Sequence, residues 1–315
     1  MQQISKPLVI AYLMPATLSK HGGVINYEPG LGPEDMTRWK ATLAELKPHT
    51  IIFGTGFVTA DMLQQWRSIL PEGNLRLIRK GVTLARCDLA SAAELGISVE
   101  NTPGANAPHV AKFICDIILA SPRQQTCAVL GIGKIGTIVA RTLAEQGHRL
   151  NVISRRLAHP RTKEGFLRES GLIDHNVSCP TSITESFQTA DAIAITLPFT
   201  QETKGLIDAE NIHAIPQRAK FISTSFPQIL TDDALRALHA RDDIDVTFDH
   251  LEKEFAHVID ILGVSAPRSN FIMAEKAAAT IECQIAMDEA ALKLAAEKKT
   301  TLPQAHTARL VDRQN

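Results

Sequence analysis

The chain has no surplus of charge of either sign: 33 Lys and Arg stand against 34 Asp and Glu in 315 residues. That balance removes the electrostatic footprint by which nucleic acid is held. Cysteine is scarce and scattered. The five residues Cys87, Cys115, Cys127, Cys179 and Cys283 are odd in number and form no Cys-x-x-Cys pair, which argues against a disulfide framework and fits a reduced, cytoplasmic setting. No His/Cys/Asp cluster has metal-ligand spacing, so no metal is expected. Nowhere do 18 consecutive apolar residues occur, so no membrane span is expected. The apolar run in MQQISKPLVIAYLMP is too short for a secretory signal. Internal repeats and low-complexity tracts are also missing. What is present, 44% hydrophobic and 21% charged residues, is the composition of a globular chain. Its length exceeds a usual domain of about 100–200 residues, which predicts two lobes.

Short apolar runs alternate with longer amphipathic ones. PLVIAYL, TRWKATLAELK, TIIFG, ADMLQQWRSIL, LRLIRKG, DLASAAELG and ISVENTPG predict a parallel α/β lobe over roughly residues 7–104. After a helix at 106–120, a second series supplies six strands: CAVLGIG, LNVISRR, DAIAITLP, AKFISTS, IDVTFDHL and NFIMAE. With helices between them they predict a doubly wound sheet. The segment IECQIAMDEAALKLAAEK is apolar at helical spacing and is expected to pack back onto the first lobe. The polar tail from Thr300 is expected to fray.

Residues 131–136 read GIGKIG. This Gly-x-Gly-x-x-Gly pattern follows the strand-like TCAVL and precedes TIVARTLAEQ, whose Ile138, Ala140, Leu143 and Ala144 are spaced to face a sheet. Gly131 permits the tight turn, Gly133 lets the backbone approach a pyrophosphate, and Gly136 lets the helix pack closely; Lys134 and Ile135 complete the turn. The helix start then offers N–H groups to phosphate. About 20 residues further on, such sites usually carry an acidic residue for the ribose hydroxyls. Here RLNVISRR ends in Ser154, Arg155 and Arg156. Two guanidinium groups bind a 2′-phosphate where a carboxylate would repel it, which predicts NADP(H) in preference to NAD(H). The alternative is that both arginines merely solvate a strand end.

The segment GISVENTPGANAPHVAKFICDIILA at 96–120 resembles the joint between the two lobes of the D-isomer-specific 2-hydroxyacid dehydrogenases. KGVTLARCDLASAAELGI upstream, with TLPFTQETKGLIDAE and FISTSFPQILTDDAL downstream, extends the resemblance over about residues 75–285. It implies an α/β fold with a doubly wound Rossmann cofactor domain at 105–280. A smaller flavodoxin-like substrate domain would be built from 1–104 and 281–315, with the active site in the cleft. It also implies hydride transfer between a nicotinamide and the 2-carbon of a hydroxy or keto acid.

Three side chains carry catalysis in that family, and two are replaced here. The substrate-binding arginine corresponds to Phe226, and an aromatic ring cannot donate the paired hydrogen bonds that a carboxylate needs. Asp249 and Glu254 fit the strand-end aspartate, expected near the nicotinamide, and the glutamate five residues after it. The histidine position falls on Lys276 counting from Asn270, or on Glu275 counting back from Glu282 and Gln284. Three readings follow. In the first, an oxidoreductase uses Lys276 as proton donor, its pKa lowered by desolvation, with Glu254 or Glu275 orienting it. The substrate carboxylate would rest on the backbone of Gly81, Val82 and Thr83, helped by Arg79, Lys80 or Arg86, and Phe226 would line a more apolar pocket. In the second, catalysis is lost and an NAD(P)(H)-binding sensor or corepressor-like protein remains. The third is a degenerate structural subunit.

Asn106 and His109, at the start of the joint helix, are candidates for substrate contact, with helix cap and surface residue as their alternatives. His250 and His257 flank Glu254, and either is a candidate for the missing imidazole. Leu197 and Pro198 in TLPFT, where Thr196 replaces a family histidine, are expected to follow the cofactor, as are Ser223, Thr224 and Ser225 at a strand end. DIILASPRQQTCAVLG lacks the arm that usually crosses the family's dimer interface. Any homodimer is expected to use another surface, and the partner expected is a small-molecule substrate rather than nucleic acid or membrane.

Overall fold

The computed structural model describes residues 8–9, 13–20, 36–54, 56–70, 75–82, 84, 86–123, 125–157, 160–250, 255–263 and 268–297. It divides into two compact units, Met1–Asn106 with Ile281–Asn315, and Ala107–Thr280.

The first unit runs β1 (Leu8–Val9), α1 (Pro15–Lys20), α2 (Met36–Leu46), β2 (Thr50–Phe53), α3 (Ala60–Ile69), β3 (Arg76–Arg79), α4 (Leu89–Glu94) and β4 (Ser98–Asn101). The four strands are parallel and ordered as in the sequence. Thr59 starts α3 by accepting the Met62 N–H on its hydroxyl at 3.4 Å, satisfying one of the donors that a helix start leaves open. Helix α3 thereby turns Met62, Leu63 and Trp66 inward, into one core with Ile51, Phe53 and Leu77 from the sheet and Leu75 just before β3.

The second unit runs α5 (Ala107–Leu119), β5 (Thr126–Leu130), α6 (Lys134–Glu145), β6 (Arg149–Ile153), α7 (Pro160–Glu169), β7 (Val177–Ser178) and α8 (Ile183–Phe187). It continues with β8 (Ala192–Ile195), α9 (Ala209–His213), β9 (Lys220–Ser223), α10 (Asp232–Ala240), β10 (Asp245–Asp249), α11 (Phe255–Leu262) and β11 (Phe271–Ala274). Seven parallel strands form one sheet in the order β11-β10-β9-β8-β5-β6-β7. The order reverses between β8 and β5, the kind of switch point at which such sheets bind ligands. Alternate residues of β5 feed two separate cores: Cys127 and Val129 join α5 and α6, while Ala128 and Leu130 join α9 and α10. A sheet buried on both faces requires near-continuous apolar strands, and TCAVL and AIAI supply them. The sequence predicts six strands here; the seventh, β7, has two residues, too few for a periodic signal.

The closing helix α12 (Ile281–Ala296) belongs to the first unit. Its Ala291 and Leu292 pack with Leu13, Ile52 and Ile78. Its Asp288, fully buried, takes the Met14 N–H at 2.8 Å and the Lys80 ammonium at 2.6 Å. The tail from Thr300 lies outside the described residues.

Candidate nucleotide site and the strand ends beside it

The glycine turn is built by close approach. Gly131 has φ +92°, and a Cβ there would lie 2.9 Å from Leu197 Cδ2 and 3.1 Å from its nitrogen. A Cβ at Gly136 would lie 1.9 Å from the Gly131 carbonyl oxygen and 2.7 Å from Thr196 Oγ1. Thr196 locks the turn by donating its hydroxyl to that carbonyl at 2.6 Å, a role that the sequence does not reveal. Around Gly133 nothing lies within 4 Å of where a Cβ would stand. Gly133 is the N-cap of α6 and, having no side chain, makes no capping bond itself. A helix start of this kind is where backbone N–H groups meet an anion, with Lys134 exposed and Ile135 half-buried beside it. This cradle fits a dinucleotide pyrophosphate.

At the end of β6, Ser154 is half-buried and Arg155 is exposed. A short 3-10 turn, Arg155–Leu157, starts there, closed by Leu157 N–H donating to the Ser154 carbonyl at 2.9 Å. The Arg156 side chain lies outside the described residues. The sequence motif missed one participant. The carboxyl of Glu202 is held below the usual range first by the Thr200 hydroxyl and further by the charge of Arg155, so Arg155 has a carboxylate in its field.

The strand ends beyond the glycine turn are tied together. Ser225 donates its hydroxyl to the Leu197 carbonyl at 2.8 Å and its N–H to Ser223 Oγ at 3.3 Å. Thr224 N–H reaches the Ile195 carbonyl at 3.1 Å. Leu197 is half-buried and Pro198 exposed. Asp249, only 8% exposed, uses Oδ1 to accept the N–H groups of Lys276 at 2.6 Å and Ala277 at 2.9 Å. Its carboxylate therefore fixes the turn after β11. Lys276 and Glu275 project from that turn, and both are exposed, so no burial in the chain desolvates the lysine. Glu254 lies outside the described residues.

Where the resemblance would place an arginine there is an aromatic cluster. The Phe226 ring lies 5.5 Å from Phe199 and 4.1 Å from the His250 imidazole, centroid to centroid. The backbone N–H of His250 donates to the Ala274 carbonyl at 2.9 Å, holding the residue beside the turn that bears Lys276. His257 is half-buried in α11.

In the first unit, Gly81 has φ +125°. Its N–H donates to Thr102 Oγ1 at 2.9 Å, so this donor is committed within the protein rather than left for a substrate. Val82 is exposed, and its carbonyl accepts from Asn101 Nδ2. Thr83 lies outside the described residues. Lys80 forms the buried ion pair with Asp288, and Arg86 lies over the Phe57 ring, 5.0 Å from its centre. Asn106 and His109 are half-buried, just before α5 and in its first turn. Among the described residues no His, Cys, Asp and Glu cluster is arranged to hold a metal, and no helix is long and apolar enough to cross a membrane.

A parallel sheet covered on both faces, with a Gly-x-Gly-x-x-Gly turn leading into a helix at its switch point, defines a Rossmann-type dinucleotide-binding domain. The family described as D-isomer specific 2-hydroxyacid dehydrogenase, NAD binding domain, matches residues 114–280, and the chain belongs to that family. The hydroxypyruvate reductase of Thermotoga maritima is 28% identical over 204 residues, 56% of this chain and 60% of that protein. The glyoxylate reductase of Aeropyrum pernix is 24% identical, over 58% of this chain and 59% of its own. The chain thus spans less than two thirds of the length of these relatives. Among solved structures, a D-lactate dehydrogenase of Treponema pallidum superposes with TM-score 0.70 at 15% identity, covering 91% of this chain and 95% of that one. The NAD+-bound 3-phosphoglycerate dehydrogenase of Entamoeba histolytica gives 0.65 at 20%, covering 93% and 95%. At such identities these structures speak for the fold.

Proposed function

We propose that the protein is an NADP(H)-dependent oxidoreductase that reduces a small 2-keto acid or related carbonyl compound with a rebuilt set of catalytic groups. The observation that carries this reading is the open start of α6 above Gly133, joined to a strand end that bears arginine where a carboxylate would select NAD(H). The α6 N–H groups hold the pyrophosphate. Ser154, Arg155 and Arg156 take the 2′-phosphate, and the Ser223–Ser225 and Leu197–Pro198 strand ends follow the rest of the cofactor. Bound there, the nicotinamide supplies hydride to the carbonyl carbon. The chain must then deliver a proton to the carbonyl oxygen. Lys276 is the donor in this reading: its backbone is fixed by Asp249 while its ammonium is free to swing, and Glu275 or Glu254 orients it. Phe226 replaces the charged substrate clamp with an apolar wall.

Titration with NADPH and NADH, then NADPH oxidation against 2-keto acids, aldehydes and ketones, tests the reading. Tighter NADPH binding, with turnover that vanishes in Lys276→Ala while cofactor affinity stays, is the expected result. Preference for NADH refutes the cofactor assignment. Turnover undiminished in Lys276→Ala removes the lysine from the mechanism, and tight NADPH binding without turnover on any substrate favours a cofactor-sensing protein.

A further inference from the structure

The basic residues of β3 and the loop after it are not equivalent. Arg76 pairs with Glu100 at 2.6 Å, Lys80 pairs with Asp288 at 2.6 Å, and Arg86 lies on the Phe57 ring. Arg79 has no such partner. It is 7% exposed, its Nε meets no acceptor, and among the described residues no carboxylate pairs with its guanidinium. Buried charges in folded proteins are paired or bind ions, and a buried donor left without an acceptor calls for an explanation.

The surroundings are shaped around this group. The guanidinium folds back over Gly81, where a Cβ would lie 2.8 Å from Nη1. A Cβ would push the guanidinium aside, and the φ of +125° is one that glycine adopts readily. The Gly81 peptide is held from both sides by Thr102, which accepts the Gly81 N–H at 2.9 Å and donates its own N–H to the Gly81 carbonyl at 3.1 Å. The arginine therefore sits on a fixed floor with its planar fork uncommitted. Burial, and then the neighbouring charge of Arg86, push its pKa down to about 10. Both effects make a negative partner favourable.

We infer that Arg79, with Gly81 as its floor and Arg86 beside it, forms an oxyanion-binding site in the first unit, taking a carboxylate or phosphate group of a small molecule. The fork geometry of a guanidinium matches both anions through paired N–H···O bonds. The site resides in this unit and stands whether or not the chain turns over.

The test is anion binding rather than turnover. Thermal unfolding and calorimetry of the full chain are followed on titration with oxalate, a carboxylate with no reducible carbonyl, and separately with inorganic phosphate, at constant ionic strength. The unfolding midpoint of the wild-type protein is expected to rise saturably with one of these anions. In Arg79→Met that response disappears, affinity falls by about tenfold or more, and the anion-free midpoint rises because an unpaired buried charge is gone. Arg79→Lys keeps a weakened response. A response to oxalate assigns a carboxylate ligand, and a response to phosphate alone assigns a phosphate-bearing one. NADPH titration of Arg79→Met runs alongside, so that loss of the dinucleotide site is told apart from loss of this one. Equal stabilisation of wild type and Arg79→Met by either anion overturns the inference, as does no response of the wild type to both. Should Arg79→Met fail to fold, hydrogen exchange at residues 79–82 of the wild type decides: slowing by anion supports the site, and unchanged exchange refutes it.

Discussion

Replacing Gly136 by alanine adds one methyl group at the point where α6 meets the glycine turn. Its Cβ would stand 1.9 Å from the Gly131 carbonyl oxygen, a backbone atom that no side-chain rotation can move. Restoring ordinary contact at about 3.4 Å requires α6 and the turn to separate by roughly 1.5 Å. The same Cβ lies 2.7 Å from Thr196 Oγ1, whose 2.6 Å bond to Gly131 closes the turn. Overpacking of this kind costs about 1–3 kcal/mol, and a broken hydrogen bond adds about 0.5–1.5 kcal/mol. Together they amount to about 2–4 kcal/mol, which corresponds to roughly 30- to 1,000-fold weaker dinucleotide binding if the strain is borne by the site. If the whole unit bears it, the loss appears as lower stability instead. The assay is NADPH titration by nicotinamide fluorescence, with a thermal melt on the same preparation. Thr196→Val serves as a control that removes the lock without the clash and should lose only about the hydrogen-bond share. Gly136→Ala that binds NADPH within threefold of wild type and melts at the same temperature would show that the turn is not packed as described.

Three further outcomes follow from buried groups. Lys80→Met leaves the Asp288 carboxylate buried without its cation and should cost about 3–5 kcal/mol in chemical denaturation; Lys80→Met/Asp288→Leu should recover part of that, and a single mutant as stable as wild type would count against the pair. Asp249→Ala strips the acceptor from the Lys276 and Ala277 N–H groups and should cost about 2–5 kcal/mol, whereas Asp249→Asn, which keeps a carbonyl oxygen, should cost less; equal melting temperatures for the two would refute the turn-fixing role. Burial, the leading cause at each, pushes the thiols of Cys87, Cys115 and Cys283 up to about 11 and Cys127 up to about 12. The folded chain therefore retains protons that an unfolded chain releases above about pH 8.5, so stability should fall as pH rises from there towards 11, and at pH 8 the half-buried Cys179 should react first with a disulfide reagent. Faster labelling of Cys127 would contradict this.

Much of the second unit was legible because its signals are local. The run TCAVL must be apolar to be buried on both faces, and the glycines at 131, 133 and 136 mark places where a Cβ does not fit or would block an approaching ligand. The two-residue β7 had no period to show. The lock by Thr196 and the field of Glu202 at Arg155 come from segments about 65 and 47 residues away in the chain, beyond the reach of a motif. The isolation of Arg79 was invisible for a different reason: the sequence offers four basic residues at 76, 79, 80 and 86, and only the folded chain shows that Glu100 and Asp288 are taken by Arg76 and Lys80. The commitment of the Gly81 N–H to Thr102 is likewise a tertiary fact, and it removes a donor that the sequence had made attractive.

Asp288 has a consequence for the order in which the protein can be made. The residue holds Met14 and Lys80 across 274 and 208 positions of sequence, and it stands on α12, which leaves the ribosome after the whole of Ala107–Thr280. The contacts that close the first unit are therefore unavailable while most of the chain is being synthesised. Residues of β1 to β4 emerge early, with Ile52 and Ile78 still lacking the helix that will cover them, whereas every described strand of the second unit precedes α12 in the chain. The unit that begins first is the one that finishes last, and during synthesis its uncovered sheet is the surface most in need of protection from other chains.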